Sequence, residues 1–164
     1  MQRLDRMLGL QRVKADFSKM LLQLKTLKAA QERRSSSQDD PEKLSRELLQ
    51  QLGHFCFIGN PGTGKTTVAK MMGRLYKKMG LLSKGHVHEV DRTDLVGEYI
   101  GQTAPKMKDA IEMARGGVLF IDEAYALSRS AEDHKDFGRE AVEILVKELS
   151  NGPGDIAIIV AGYP

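Results

Sequence analysis

The sequence predicts a three-layer α/β fold built around a central parallel sheet, and three observations support this prediction. Segments typical of strands alternate with segments typical of helices along the 164 residues. The strand segments are short, and two of them, Val118–Ile121 and Ile156–Val160, are apolar throughout, as strands buried on both faces are. This alternation implies right-handed crossovers and a ligand site at the carboxyl ends of the strands.

Composition excludes several classes of protein. The 25 basic and 22 acidic residues leave a net charge of +3, which is too small an excess to favour nucleic acid as a partner. The single cysteine, Cys56, excludes an intrachain disulfide and is predicted to be a small residue of the core. The sequence has neither an apolar N-terminal region nor a run of about 18 apolar residues, so we expect a soluble protein of the cytoplasm, or otherwise intracellular, with no membrane partner.

Two segments precede the predicted sheet. Residues 1–34 are predicted to form a helix that packs on the core, because apolar residues recur at steps of three and four: Leu10, Val13, Phe17, Met20, Leu24 and Leu27. A partner-binding or coiled-coil helix is the alternative, but the pattern spans fewer heptads than a coiled coil requires. Residues 35–53 are predicted to form a polar loop and then a helix, with Asp40 as its N-cap, Pro41 in the first position and an end near Gly53.

Residues 54–164 form the predicted core, which opens with a strand, a glycine-rich loop and a helix. Phe55–Ile58 is apolar and predicts a buried strand. The helix is indicated by apolar residues at helical spacing: Val68, Met72, Leu75, Tyr76 and Met79. Between strand and helix, Gly59–Thr66 fits G-x-x-x-x-G-K-S/T, which is the pattern of a phosphate-binding loop.

Such a loop binds phosphate through its backbone. Glycines let successive N–H groups turn inward, and the helix adds the positive end of its dipole. We therefore expect ATP or ADP to contact a continuous run of residues: Gly59, Asn60, Pro61, Gly62, Thr63, Gly64, Lys65, Thr66 and Thr67. In this interpretation Lys65 reaches the β- and γ-phosphates, and the Thr66 hydroxyl ligates Mg²⁺.

The later elements are predicted from the same patterns. In chain order we expect a strand at His86–Val90, a loop over 91–101, a helix from Thr103, a strand at Val118–Ile121, a loop over 128–135, a helix over 138–150 and a strand at Ile156–Val160. The helix from Thr103 has a buried stripe: Met107, Ala110, Ile111 and Ala114. His86 and His88 share one face of a strand, but two histidines without a third ligand are more typical of a solvated face than of a metal site.

An acidic pair, Asp122 and Glu123, follows the strand Val118–Ile121 directly. In a parallel sheet this position lies beside the phosphate-binding loop, so Asp122 can hold Mg²⁺ directly or through water. Glu123 can orient the attacking water or accept its proton. The pair therefore predicts hydrolysis of ATP.

A second pattern, Asp94–Gly97, matches the D-x-x-G of GTPases. It precedes the strand that ends at Asp122, and no Asn-Lys-x-Asp for guanine follows. ATP is therefore favoured over GTP. Just beyond this pattern, Tyr99 and Ile100 lie between glycines and can offer an apolar contact to a passing chain, although a Tyr packed on its own helix is the alternative.

Three segments together resemble the AAA+ ATPases of the CbbX/CfxQ group, which includes red-type Rubisco activases and similar sporulation and type VII secretion proteins: Gly59–Thr67, Asp94–Lys106 and Gly116–Tyr125. The resemblance implies the large AAA+ subdomain of the P-loop NTPases, with sheet order 5-1-4-3-2. It identifies Gly59–Thr66 as Walker A and Asp122 with Glu123 as Walker B. Tyr163 or its neighbours stand where many AAA+ proteins carry a sensor asparagine.

The resemblance also implies partners. Gly9 and Leu10 are similar to a segment that lies against adenine, and Tyr99, Ile100 and Gly101 are similar to a pore loop that grips a client protein. The full-length members work as rings, usually hexamers, and a monomer stays open for this chain. The arginine finger, the fifth strand and the helical lid of the group are not among the 164 residues.

We therefore expect a fragment of a longer protein, with one open sheet edge and slow hydrolysis. The alternative function is a nucleotide-responsive binding or scaffold module with little or no hydrolysis. A P-loop kinase or a DNA-loading ATPase is less favoured, because the chain shows neither an acceptor site nor a basic stripe.

Overall fold

The computed structural model describes residues 11–34, 41–128 and 137–163. Contacts between Cα atoms divide the chain into two compact units, Met1–Leu44 and Ser45–Pro164. The first unit contains helix α1 and the start of helix α2. The second contains the rest of α2 and all of the sheet.

Helix α1 covers Gln11–Arg34, as the stripe of apolar residues predicts. Leu24 is buried as predicted, but Leu27 is 40% exposed, and Leu21, which is not in the predicted stripe, is buried. The predicted stripe is therefore wrong at Leu27. Helix α2 covers Pro41–Leu52 and ends where the sequence predicts. The packing of α1 on the core and the division into residues 1–34, 35–53 and 54–164 stay predictions, and the cap residue Asp40 lies outside the described residues.

A four-stranded parallel sheet organises the second unit. Its strands are β1 (Phe55–Ile58), β2 (Val87–Val90), β3 (Val118–Ile121) and β4 (Ala157–Gly162). Their order is β1-β4-β3-β2, and each neighbouring pair is parallel. This order agrees with four of the strands in the predicted order 5-1-4-3-2 and confirms the α/β fold class.

Burial along the strands follows their position in the sheet. All four residues of β3 are buried, because β3 has a strand on either side and helices on its faces. Strand β1 lies at an edge and alternates between half-buried and exposed residues. Ile58 is 69% exposed and Cys56 is exposed, so the predictions of a buried first strand and a core cysteine are wrong: the face of β1 that carries both side chains is open to solvent.

The remaining elements of the second unit are helical: α3 (Lys65–Lys78), α4 (Arg92–Leu95), α5 (Thr103–Ala114), a 3₁₀ helix (Ala124–Leu127) and α6 (Phe137–Asn151). The predicted stripe of α5 is buried at all four positions. In α3, Val68, Met72 and Tyr76 are buried, while Leu75 and the C-cap residue Met79 are half-buried. Most of the predicted loop over 128–135 lies outside the described residues. None of the helices in the described part of the chain is long and apolar enough to cross a membrane.

Helix α4 replaces part of the loop that the sequence predicts over 91–101. The Asp91 side chain accepts hydrogen bonds from the Thr93 and Asp94 amides, and the Asp94 carboxylate accepts one from the Asp91 amide at 3.0 Å. This reciprocal capping satisfies the donors of a helix only four residues long. It also gives Asp94 a structural role in place of the GTPase pattern.

Candidate nucleotide-binding site

The segment between β1 and α3 has the backbone of an anion-binding loop. Gly62 and Gly64 have φ values of 73° and 87°, in the left-handed region that other residues adopt only with strain. Gly64 is the N-cap of α3 and has no side chain that could accept a hydrogen bond. The N-cap residue therefore leaves the first backbone amides of the helix uncapped. Amides in this arrangement bind anions such as phosphate.

The ammonium group of Lys65 lies against this loop. Its Nζ donates to the carbonyls of Gly59 at 2.8 Å and Asn60 at 3.2 Å, and the Thr63 hydroxyl donates to the same Asn60 carbonyl at 2.8 Å. The ring of Tyr163 lies 5.0 Å from the same Nζ. Asn60, Pro61, Gly62, Thr63 and Thr67 are exposed, so this run is open to a ligand.

Two backbone hydrogen bonds bring the ends of different strands to this loop. The Gly59 amide donates to the Gly162 carbonyl of β4 at 3.1 Å, and the Asp122 amide donates to the Val90 carbonyl of β2 at 2.9 Å. The loop after β1 and the acidic pair after β3 therefore lie on the same edge of the sheet. This is the carboxyl edge, where the sequence predicts the ligand.

Glu123 is held in a strained and well-defined position. Its φ of 50° and ψ of 39° are left-handed, and it is the one described residue other than glycine with a positive φ. Its amide donates to the Asp122 carboxylate at 2.9 Å, and its own carboxylate accepts from the Tyr163 hydroxyl at 2.8 Å. Such strain at a non-glycine residue is typical of functional sites.

Tyr163 connects the two halves of the site. Its hydroxyl bonds Glu123, its ring lies near Lys65, and the ring of Tyr125 packs on it at a centroid distance of 5.4 Å. Donation to the Glu123 carboxylate raises the pKa of Tyr163 to about 12. The phenol therefore stays protonated at neutral pH and remains a donor to Glu123.

The oxygen atoms near the start of α3 fit a hard cation. The Thr66 hydroxyl lies 3.2 Å from Oε1 of Glu89, and Asp122 supplies a carboxylate at the neighbouring strand end. In the described part of the chain, no three His, Cys, Asp or Glu side chains come together as a metal site of their own. One or two protein oxygens supplemented by phosphate and water is the pattern that Mg²⁺ prefers, so the donor set fits Mg²⁺ carried by a nucleotide.

A family model described as "ATPase family associated with various cellular activities (AAA)" matches residues 55–163. The chain belongs to the AAA family of ATPases. The matched range begins with β1 and includes the loop, the acidic pair and Tyr163, so every residue of the site described above lies within the AAA match.

Curated relatives of this AAA domain agree with the resemblance to the CbbX/CfxQ group. Stage V sporulation protein K of Bacillus subtilis is 56% identical over 110 residues, which are 67% of this chain and 34% of that protein. Protein CbbX of Cereibacter sphaeroides is 54% identical over the same length, covering 67% of this chain and 35% of that protein. The chloroplastic ribulose bisphosphate carboxylase/oxygenase activase of Cyanidioschyzon merolae is 53% identical, covering 67% and 37%. The chain therefore spans about a third of the length of these relatives.

A solved structure supports the AAA fold over almost the whole chain. A chain of the E. coli MS115-1 HORMA:CdnC:Trip13 complex matches with a TM-score of 0.61 and 21% identity, and covers 99% of this chain and 58% of that one. At this level of identity the likeness concerns the fold alone.

Among the remaining predicted residues of the AAA domain, Tyr99 and Ile100 are 68% and 77% exposed, which contradicts the alternative of a Tyr packed on its own helix. The turn that presents them is fixed at its base, since the Gln102 side chain accepts from the Glu98 and Tyr99 amides at 3.1 and 3.3 Å. Gly101 has a φ of 84°. Gly9 and Leu10 lie outside the described residues.

Sequence reasoning did not identify Glu89 as a residue of the site, and it predicted no contact partner for Tyr163. Tyr163 could have been found from the predicted sheet, because it directly follows the strand between β1 and β3. The contact of Glu89 could not, because Glu89 lies within β2 and meets a residue of α3. In a parallel sheet, residues that follow neighbouring strands meet at one edge.

Proposed function

We propose that this AAA domain binds Mg-ATP on the loop Gly59–Thr67 and hydrolyses it to ADP and phosphate. The observation that carries the proposal is that Lys65 and Glu123, which belong to different elements, both contact Tyr163, at 5.0 Å and 2.8 Å. A cation suited to phosphate thus lies near the ring of one tyrosine, and a carboxylate suited to accepting a proton is bonded to the hydroxyl of the same residue.

Each residue has a role that its chemistry supports. The loop amides and Lys65 bind the phosphates, and Lys65 exchanges its neutral carbonyl partners for charged phosphate oxygens, which accept stronger hydrogen bonds. Thr66 and Asp122 hold Mg²⁺, which when bound offsets the negative charge of the β- and γ-phosphates. Glu123 accepts a proton from the attacking water, and Tyr163 holds the Glu123 carboxylate in place.

We also propose the setting in which the domain works. Within a longer cytoplasmic protein, copies assemble into a ring, a hexamer, and turnover moves a client protein past the exposed turn of Tyr99, Ile100 and Gly101. The exposure of both large side chains supports this role, as does the name of one relative as an activase of another enzyme. Gly9 and Leu10 are proposed to contact adenine. Neither a membrane nor nucleic acid is proposed as a partner.

Binding and turnover test the proposal separately. Mg-ATP is titrated into the wild type, Lys65→Ala and the control Lys78→Ala, which removes an exposed lysine at the far end of α3. We expect Lys65→Ala to weaken binding by tenfold or more, as loss of a charge-assisted contact implies, and Lys78→Ala to match the wild type. Equal affinities for all three proteins would contradict the site. Mg-ATP binding without release of phosphate from the wild type would favour the scaffold alternative.

A further inference from the structure

Glu89 lies on the same face of the sheet as Asp122, although nothing in the sequence pattern links them. In β2, Glu89 is in register with Phe120 of β3, and neighbours in register project to the same face. Asp122 is two residues beyond Phe120, and its amide extends the ladder to the Val90 carbonyl. Side chains two residues apart in a strand share a face, so Glu89 and Asp122 belong to one side of the sheet.

The carboxylate of Glu89 meets the hydroxyl of Thr66 from this face. Oγ1 of Thr66 and Oε1 of Glu89 are 3.2 Å apart, and only the hydroxyl has a proton to donate. A hydroxyl that donates its single proton to a carboxylate keeps both lone pairs free.

From this contact, and resting on the function proposed above, we propose that Glu89 is a positioning residue for the Mg²⁺ ligand Thr66. It accepts the hydrogen bond of the hydroxyl and leaves the lone pairs of Oγ1 free for the cation. Groups that hold a metal ligand through a hydrogen bond in this way change metal affinity by about 10- to 100-fold when they are removed. We expect the low end, about tenfold, because Glu89 is partly exposed.

The surroundings of Glu89 favour positioning over direct ligation or ion pairing. In the part of the chain that the structure describes, Glu89 is not part of a cluster of three potential metal ligands. Its second oxygen, Oε2, lies 4.0 Å from Nζ of Lys70, and both side chains are about half exposed, at 46% and 56%. An exposed pair at this distance contributes little. Lys70→Ala therefore serves as a matched control that alters the neighbourhood of Glu89 but leaves the contact with Thr66.

The test measures how much Mg²⁺ strengthens nucleotide binding. A non-hydrolysable ATP analogue is titrated into the 164-residue chain with Mg²⁺ and with EDTA, for the wild type, Glu89→Ala, Glu89→Gln and Lys70→Ala. We expect Glu89→Ala to lose about tenfold of the strengthening by Mg²⁺, with its affinity in EDTA within about twofold of the wild type. Glu89→Gln keeps an acceptor oxygen and should recover most of the loss. Lys70→Ala should match the wild type in both conditions.

Two results would overturn the proposal. If Mg²⁺ strengthens nucleotide binding by Glu89→Ala as much as by the wild type, Thr66 does not need Glu89 in order to bind Mg²⁺. If it weakens binding equally in EDTA, Glu89 supports the loop and not the metal ligand. Lys65→Ala separates this outcome from failure of the nucleotide site: when the wild type binds more tightly than Lys65→Ala but Glu89 has no effect, only the inference about Glu89 is wrong. If the wild type and Lys65→Ala bind equally, the site is wrong and the inference falls with it.

Discussion

Acidification should destabilise this domain through one histidine at the start of the sheet. His54 precedes β1, and its Nδ1 accepts a hydrogen bond from the Ile158 amide of β4 at 3.0 Å. Its Nε2 is buried and has no hydrogen-bond partner within the described part of the chain. Burial lowers the pKa of His54 below the ordinary value of 6.5, so the native state requires a neutral ring with its proton on Nε2.

The sign and size of the effect follow from proton linkage. Below pH 6.5 the unfolded chain takes up a proton on His54 that the native chain does not, so the free energy of unfolding falls as the pH drops towards the native pKa. One proton gives a slope of at most about 1.4 kcal/mol per pH unit. The ring is only half-buried, so we expect about half of this slope. Protonation of Nδ1 would place two N–H donors against each other at Ile158, so the native chain resists taking up this proton.

Urea denaturation at pH 7.5 and pH 5.5 measures the effect, with His54→Gln as the control. The glutamine side chain offers an acceptor to the Ile158 amide and does not titrate. Carboxylates contribute equally to both proteins, so the difference between their losses of stability isolates His54. We expect the wild type to lose about 0.5 to 1 kcal/mol more than the variant over this range. Equal losses in the two proteins would refute the neutral, buried histidine.

Three further predictions concern the site. Glu123→Gln should bind Mg-ATP as the wild type does but lose about 10²- to 10⁴-fold in phosphate release, because it removes the proton acceptor; a variant with unchanged turnover would exclude that role. Tyr163→Phe keeps the ring beside Lys65 and removes the hydroxyl from Glu123, so kcat should fall while KM stays constant. A rise in KM instead would assign the hydroxyl to binding. Tyr99→Ala should leave the Mg-ATP affinity and the melting temperature unchanged, because the side chain is 68% exposed, yet weaken capture of an unfolded polypeptide such as casein.

The parts of the fold that sequence reasoning predicted well are those fixed by local patterns. Strand β3 is a continuous apolar run, and its burial on both faces follows from that composition. The stripe of α5 repeats at the helical period over about two turns, so its buried face was predictable. The loop before α3 was predictable because its glycines, its lysine and its threonine match a phosphate-loop pattern of fixed spacing.

The parts that were missed depend on neighbours distant in sequence. Cys56 and Ile58 have apolar surroundings in sequence, but their exposure is set by the edge position of β1. Helix α4 is too short for a periodic pattern, and it depends on the reciprocal cap of Asp91 and Asp94. The contact of Glu89 with Thr66 depends on strand register and on the path of α3 across the sheet, and neither is visible in a linear sequence.

The order of the strands explains why Tyr163 contacts both halves of the site. Strand β4 lies between β1 and β3, so the residue that follows β4 is placed between the loop after β1 and the acidic pair after β3. A long, rigid side chain at this position can contact Lys65 through its ring and Glu123 through its hydroxyl. Two strands, β4 and β3, separate β2 from β1. Glu89 of β2 contacts the site only because α3 brings Thr66 towards it. The same topology therefore gives Tyr163 a position beside Glu123 and restricts Glu89 to a contact with Thr66.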